Sequence, residues 1–229
     1  MISPLKIAVT KEQIIAAIEQ AKEQLFIDNL RDRTINVALD SKIRGYIGEI
    51  ALKTWFYKNG ITFSTTNQLN RKSNMDVDFL YQGKTKSYEI ELKTSLIPDQ
   101  DRTIEEAICQ RDIKLIRRGN DSIERLKSDV HIQLFFKQRR AAKDVWLESQ
   151  LPIKANFSAE EIYHKLACFR YLTDTYLIGW IDKPTLIQQI DNKLSHRKTW
   201  KYGQREFWTC SLKDEVKPIE TLISFLKEA

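Results

Sequence analysis

Met75-Asp-Val-Asp78-Phe-Leu-Tyr81, followed by Tyr88-Glu-Ile-Glu91-Leu-Lys93, is the stretch on which the fold turns. In a strand, alternate side chains share a face. Tyr88, Ile90 and Leu92 therefore face a core, while Glu89, Glu91 and Lys93 project from the opposite side. Val77, Phe79 and Tyr81 take one face of the earlier run. Asp76 and Asp78 take the other, which Leu80 shares. Gln82-Gly-Lys-Thr-Lys86 between the runs is polar, contains a glycine and reads as a turn. An antiparallel hairpin across that turn brings Asp78 beside Glu91.

Two carboxylates side by side on a sheet face repel each other and stay ionised only beside a cation. Mg2+ suits them, since it takes oxygen ligands, often one or two carboxylates completed by waters and a substrate phosphate. Such an ion can lower the pKa of a bound water and offset charge on phosphorus. Lys93, on the same face, can orient that water or neutralise a phosphate. An acid-x-Lys string alone is weak evidence: Asp40/Lys42, Asp112/Lys114, Asp191/Lys193 and Glu215/Lys217 also occur. Only Glu91/Lys93 lies in an alternating strand with acids upstream. The competing reading is an exposed strand face with a cross-strand ion pair.

Upstream, Asp40 is predicted as an N-cap and Asn59-Gly60 as a helix stop. Between them Ile43, Tyr46, Ile47, Ile50, Ala51, Leu52, Trp55 and Phe56 wrap most of the circumference, so the helix is largely buried. Glu49 falls between Tyr46 and Phe56 on the wheel, where a carboxylate needs a partner. That partner is a metal or Lys93; alternatively it is Lys53, four residues on.

These residues together resemble the PD-(D/E)xK nuclease superfamily, with its restriction-endonuclease-like fold. Gly48-Glu49 on a helix, Asp78-Phe-Leu at a strand start and Glu91-Leu-Lys93 before Thr94-Ser95 carry the resemblance, which covers residues 40–95 closely. It implies an α/β fold with a central mixed β-sheet flanked by helices. It also implies Asp78 and Glu91 as metal ligands for Mg2+, Lys93 as catalytic lysine, Glu49 as accessory ligand, and products with a 5′-phosphate and a 3′-hydroxyl. Met75-Asp76-Val-Asp78 stands where the family has Pro-Asp. The aspartate is thus open between Asp78, preferred because an apolar run follows it directly, and Asp76.

With 229 residues the chain suits one nuclease domain: an N-terminal helical extension to residue 39, a catalytic core over 40–95, and the rest of the sheet and helices over 96–229. Apolar residues make up 42% and the net charge is +6, which permits an anionic partner such as DNA without establishing one. Cys109, Cys168 and Cys210 are scattered and form no CxxC, and the three histidines have no zinc-like spacing. The expectation is a reduced, cytoplasmic compartment, with neither signal peptide nor transmembrane span. No Walker, GxGxxG or GxSxG motif occurs.

Along the chain, Thr10-x-x-Gln13 predicts a capped packing helix to about Asp28, followed by a linker over 29–39. A polar loop is expected from Leu96 to Arg102 and a helix from Thr103 to Arg118. Val130 to Phe136 reads as a strand on which Gln133 either faces the site or is an ordinary buried polar group. Lys137, Arg139 and Arg140, with Lys143, form a basic loop that is either solvated or a phosphate contact. Ser158-x-x-Glu161 opens a helix, Tyr176–Ile181 is a buried strand, and Pro184 starts a short helix. Residues 192–205 read as a polar loop. Within it Lys198, Trp200 and Lys201 are candidates for gripping phosphates and stacking on a base. A strand over 207–212 and a C-terminal helix over 219–226 follow. The sequence therefore points to a DNA endonuclease, most simply a type II restriction enzyme acting as a homodimer. The alternatives are a repair or junction-specific nuclease, or a non-catalytic DNA-binding protein of the same fold.

Overall fold

The computed structural model describes residues 2–24, 35–65, 77–117, 122–149, 156–167, 172–191, 196–200 and 205–228. The chain runs β1 (Leu5–Ile7), α1 (Lys11–Gln24), α2 (Ile35–Lys58), β2 (Phe63–Thr65), β3 (Phe79–Gln82), β4 (Ser87–Ile97), α3 (Ile104–Gln110) and β5 (Asp112–Arg117). It continues through β6 (Val130–Arg139), α4 (Arg140–Ser149), α5 (Ala159–Leu166), β7 (Thr175–Asp182) and α6 (Lys183–Asp191). β8 (His196–Trp200), β9 (Arg205–Ser211), β10 (Lys217–Pro218) and α7 (Thr221–Lys227) complete it.

A seven-stranded mixed sheet is ordered β1-β7-β6-β4-β3-β2, with β10 also on β7. β2, β3 and β4 form an antiparallel meander, and β4 and β6 are parallel. Parallel neighbours need a crossover, and α3 with β5 lies within it. A second sheet, β5-β9-β8, stands apart from this path.

Alternation on the central strands divides the apolar residues into two cores. Phe79, Ile90, Leu92, Ile132, Leu134 and Phe136 pack with α1, α2, α5 and α7. Ile97, Phe135, Ile178 and Ile181 pack with α3, α6 and the small sheet. The predicted α/β architecture, a mixed sheet flanked by helices, is therefore present.

Local signals place several elements. Thr10 and Gln13 form the reciprocal cap of α1, and Ser158 with Glu161 does the same for α5. At the end of α2, Gly60 has φ 69°, its N–H donates to Tyr57 O, and Ile61 N–H donates to Phe56 O at 2.9 Å. This is a Schellman cap, which favours a residue without a Cβ. Phe63 then stacks on Phe56 and Phe79, with ring centroids 5.6 and 5.3 Å away. Such pairs contribute roughly 0.5–1.5 kcal/mol each beyond area burial. They hold β2 and the start of β3 on the end of α2.

Other expectations are corrected. Asp40 is not an N-cap: α2 begins at Ile35, so residues 35–39 of the expected linker are helical and Asp40 sits inside. Its buried carboxylate accepts from Lys143 Nζ at 2.7 Å and from Arg44 Nε at 3.1 Å. Side-chain pairing across helices, not helix capping, thus explains an aspartate there.

β4 runs on to Ile97, because Ser95 and Leu96 pair with Phe135 and Phe136. The helix expected to Arg118 stops at Gln110. Arg111 N–H closes on Ala107 O, and its guanidinium grips Asp101 at 2.7 and 2.8 Å. Ile113 and Leu115 then alternate inward along β5, paired with β9.

The basic stretch after β6 is no loop: Lys137 and Arg139 end β6, and Arg140 opens α4. Residues 196–200 of the expected second loop form β8, paired with β9. α1 is described to Gln24, so its expected continuation to Asp28 lies outside the described residues. No helix among the described residues is long and apolar enough to cross a membrane.

Candidate functional site

The site is built by the register of three strands. β3 and β4 pair Phe79 with Ile90, so one step outward sets Asp78 against Glu91. Asp78 N–H donates to Ile90 O at 2.9 Å, and its Oδ2 accepts from Leu92 N–H at 2.7 Å. The aspartate thus continues the ladder with its side chain just before β3 begins. A charge-assisted bond of this kind also fixes the carboxylate's direction. On the other edge, β4 and β6 pair Glu91 with His131 and Lys93 with Gln133.

Glu91 is the electrostatic centre. One carboxylate oxygen, Oε1, meets Lys93 Nζ, and Oε2 lies 2.9 Å from Nδ1 of His131. Burial alone pushes the carboxyl's pKa up. The Lys93 charge and the His131 contact outweigh burial and bring it down to about 2, so Glu91 is ionised at neutral pH. Exposure grades across the group, from fully buried His131 through 7% for the Glu91 side chain to 21% for Lys93. Gln133 is buried and donates to the backbone oxygens of Lys93 and Leu134 at 3.1 and 2.9 Å. It therefore stands beside the site as a buried polar group with ordinary hydrogen bonds.

α2 lies against the other face of β4. A Cβ on Gly48 would come 2.4 Å from Thr94 Cγ2 and 3.4 Å from Leu92 Cδ2, so glycine permits this approach. Glu49 is the half-buried next residue. Lys53, its alternative partner, holds Nζ 5.9 Å from the Phe79 ring centroid.

Among the described residues, no group of three or more His, Cys, Asp or Glu is gathered so as to hold a metal ion. What the strands bring together is two carboxylates, Asp78 and Glu91, with Lys93. Carboxylate oxygens are the donors a hard divalent cation takes, with waters in its remaining positions. Asp76 lies outside the described residues.

Of the proposed DNA contacts, Lys137 is exposed at the end of β6. The backbone places Arg139 on β6, Arg140 at the start of α4, and Lys198 and Trp200 on β8. The side chains of these four, and all of Lys201, lie outside the described residues. Lys143 is 1% exposed and committed to Asp40, so it is neither a solvated lysine nor a phosphate contact.

His131 is the residue that sequence reasoning missed. A lone histidine has no spacing signal. Only the parallel β4–β6 register, set by a crossover of more than thirty residues, puts it beside Glu91. Compared with protein-family models, curated proteins and solved structures, the chain matches none of them.

Proposed function

We propose that this chain is a Mg2+-dependent endodeoxyribonuclease of the restriction-endonuclease-like class, most simply a type II restriction enzyme acting as a homodimer. The observation that carries this is the Glu91–Lys93 pair on one face of β4, with Asp78 next to it across the hairpin. Support also comes from the element order, in which a long helix precedes an antiparallel three-strand meander and a crossover leads to a parallel fourth strand.

Asp78 and Glu91 would hold the ion, which when bound supplies an acidified water and a Lewis acid at the phosphate. The chain's own residues do the rest. Leu92 N–H keeps the Asp78 carboxylate turned toward β4. Lys93, more exposed than Glu91 and His131, carries its charge toward solvent, where it can meet a phosphate oxygen or orient the attacking water. Glu49 sits on α2, which packs against the other face of β4, so it is not brought to this group and takes no part at the ion in this reading. Lys137, Arg139, Arg140, Lys198, Trp200 and Lys201 would bind the duplex through phosphates and stacking.

A second reading, a non-catalytic DNA-binding protein of the same fold, is favoured by one observation: both Glu91 oxygens already have partners. Supercoiled plasmid and unmethylated genomic DNA incubated with Mg2+, with wild type and Lys93→Ala compared, separates the possibilities. Discrete fragments from wild type alone support the restriction enzyme. Nicking or cutting only at branched DNA points to a repair or junction nuclease. DNA binding without cleavage by wild type rules out the nuclease and leaves the second reading.

A further inference from the structure

We propose that His131 is a positioning residue: its Nδ1–H fixes the Glu91 carboxylate so that Oε2 is tied inside the sheet and Oε1 is presented to Lys93 and the solvent edge. The proposal rests on the reading of Glu91 and Lys93 as the reactive pair.

The geometry comes from the backbone. Glu91 and His131 are register partners on parallel strands, so their side chains leave the same face side by side. His131 is fully buried, and its Nδ1 lies 2.9 Å from Oε2. An ionised carboxylate only accepts hydrogen bonds, so a contact this short places a proton on Nδ1. The opposite arrangement would set two lone pairs against each other. Nε2 has no hydrogen-bond partner among the described residues. The ring's one identified polar contact is therefore the one to Glu91.

The consequence is asymmetric. A glutamate side chain has three torsions, and its two oxygens are interchangeable by rotation about the last of them. With Oε2 held by a buried ring, that rotation is blocked. Oε1 faces the 21% exposed Lys93, which is the side from which substrate and solvent arrive. His131 cannot touch substrate itself. A buried group that orients a ligating or reacting carboxylate typically changes activity roughly 10–100-fold when removed.

The test has two arms on the full chain. In the first, metal-free protein carrying 15N-labelled histidine is studied by NMR, with the His131 signals assigned by their loss in His131→Asn. A proton on Nδ1 supports the proposal, and an unprotonated Nδ1 overturns it. This arm does not depend on whether the protein cleaves anything.

In the second, His131→Phe, His131→Asn and His131→Gln are compared in Mg2+-dependent plasmid cleavage, alongside their melting temperatures. An asparagine amide can donate from near the Nδ1 position, whereas a glutamine amide lies near Nε2 and a phenyl ring donates nothing. His131→Phe and His131→Gln are expected to lose roughly 10–100-fold in kcat. KM for DNA should stay near wild type, and His131→Asn should recover most of the loss. Equal losses in all folded variants, or no loss in any, overturn the positioning role. If His131→Phe fails to fold, the contrast between asparagine and glutamine decides. If wild type cleaves no DNA, the nuclease reading fails by itself, and the Nδ1 proton still decides whether His131 holds Glu91.

Discussion

In the pair Asp40–Lys143 both side chains are 1% exposed, while in Glu91–Lys93 the carboxylate is 7% and the lysine 21% exposed. The first joins two helices, α2 and α4. The second stands on one strand, with its lysine at the edge of the solvent. A lysine sealed in a low-dielectric interior is out of reach of solvent and of any substrate phosphate, so such a pair fixes a packing arrangement. A lysine that keeps part of its surface in water can exchange its carboxylate for a phosphate. Two pairs of the same chemistry are thus separated by the access of one ammonium group, and each can be broken separately.

The largest effect is expected at the sealed pair. Lys143→Met leaves Asp40 buried with Arg44 as its remaining identified cation, and breaking a buried pair destabilises by about 3–5 kcal/mol. Thermal and urea unfolding should register it. Asp40→Leu combined with Lys143→Met should recover much of the loss, because no carboxylate is left buried without its lysine, while Arg44 keeps Ser41 Oγ and part of its surface in solvent. A double variant no better than the single one would mean that the pair is not the origin of the effect.

At the open pair the expected change is in rate. Lys93→Ala should lower plasmid cleavage about 10²–10³-fold at a temperature where the variant is folded, the usual magnitude for removing one donor from a developing negative charge. It should also lower the melting temperature, because Lys93 helps hold the buried Glu91 carboxylate ionised. A Lys93→Ala loss seen mainly as unfolding would make this pair structural like the other.

Acid should find Glu91 next. Its pKa in the fold is about 2, against 4.5 ordinarily, because Lys93 and His131 outweigh the opposing effect of burial. A depressed carboxyl contributes stability that is fully present above its unfolded pKa and lost as pH falls through the folded one. The window is thus pH 4.5 down to about 2, and the linkage amounts to about 3 kcal/mol. The difference in unfolding free energy between wild type and Glu91→Gln should shrink across that window. A constant difference would show that the charge of Glu91 is not what the fold uses.

How much of this was legible in the sequence depends on the distance over which each signal acts. Alternation in Val77–Tyr81 and Tyr88–Lys93 is a period-two signal within single strands, and the turn between them is short, so the hairpin and the Asp78–Glu91 approach could be read directly. Capping boxes at Thr10 and Ser158 are equally local. Asp40 misled because an aspartate before an apolar run has the same local pattern whether it caps a helix or pairs with a lysine 103 positions later. Residues 112–117 fall within the helix expected from Thr103 to Arg118, because no glycine or proline interrupts the run before Gly119. Pairing with β9, nearly a hundred residues on, makes them a strand. His131 was invisible for the same reason: its meaning comes from the β4–β6 register alone.

Both pairs depend on where α2 lies, since it carries Asp40 and rests on β4 through Gly48. Gly48→Ala tests that seat with the smallest change. A new Cβ would meet Thr94 Cγ2 at 2.4 Å, a methyl on a stiff β-branched residue in the middle of a strand. The clash should destabilise by about 1–3 kcal/mol even though alanine is the better helix former. Thr94→Ser removes the methyl and keeps the strand, so the double variant Gly48→Ala/Thr94→Ser should regain most of the loss in urea unfolding. Cleavage by the single variant sharpens the contrast further. Lys93 leaves the opposite face of β4, so a shift of α2 should disturb the sealed pair more than the open one. If Gly48→Ala abolishes cleavage at a temperature where it is fully folded, the seat of α2 on Thr94 governs the open pair as well, through the backbone of β4.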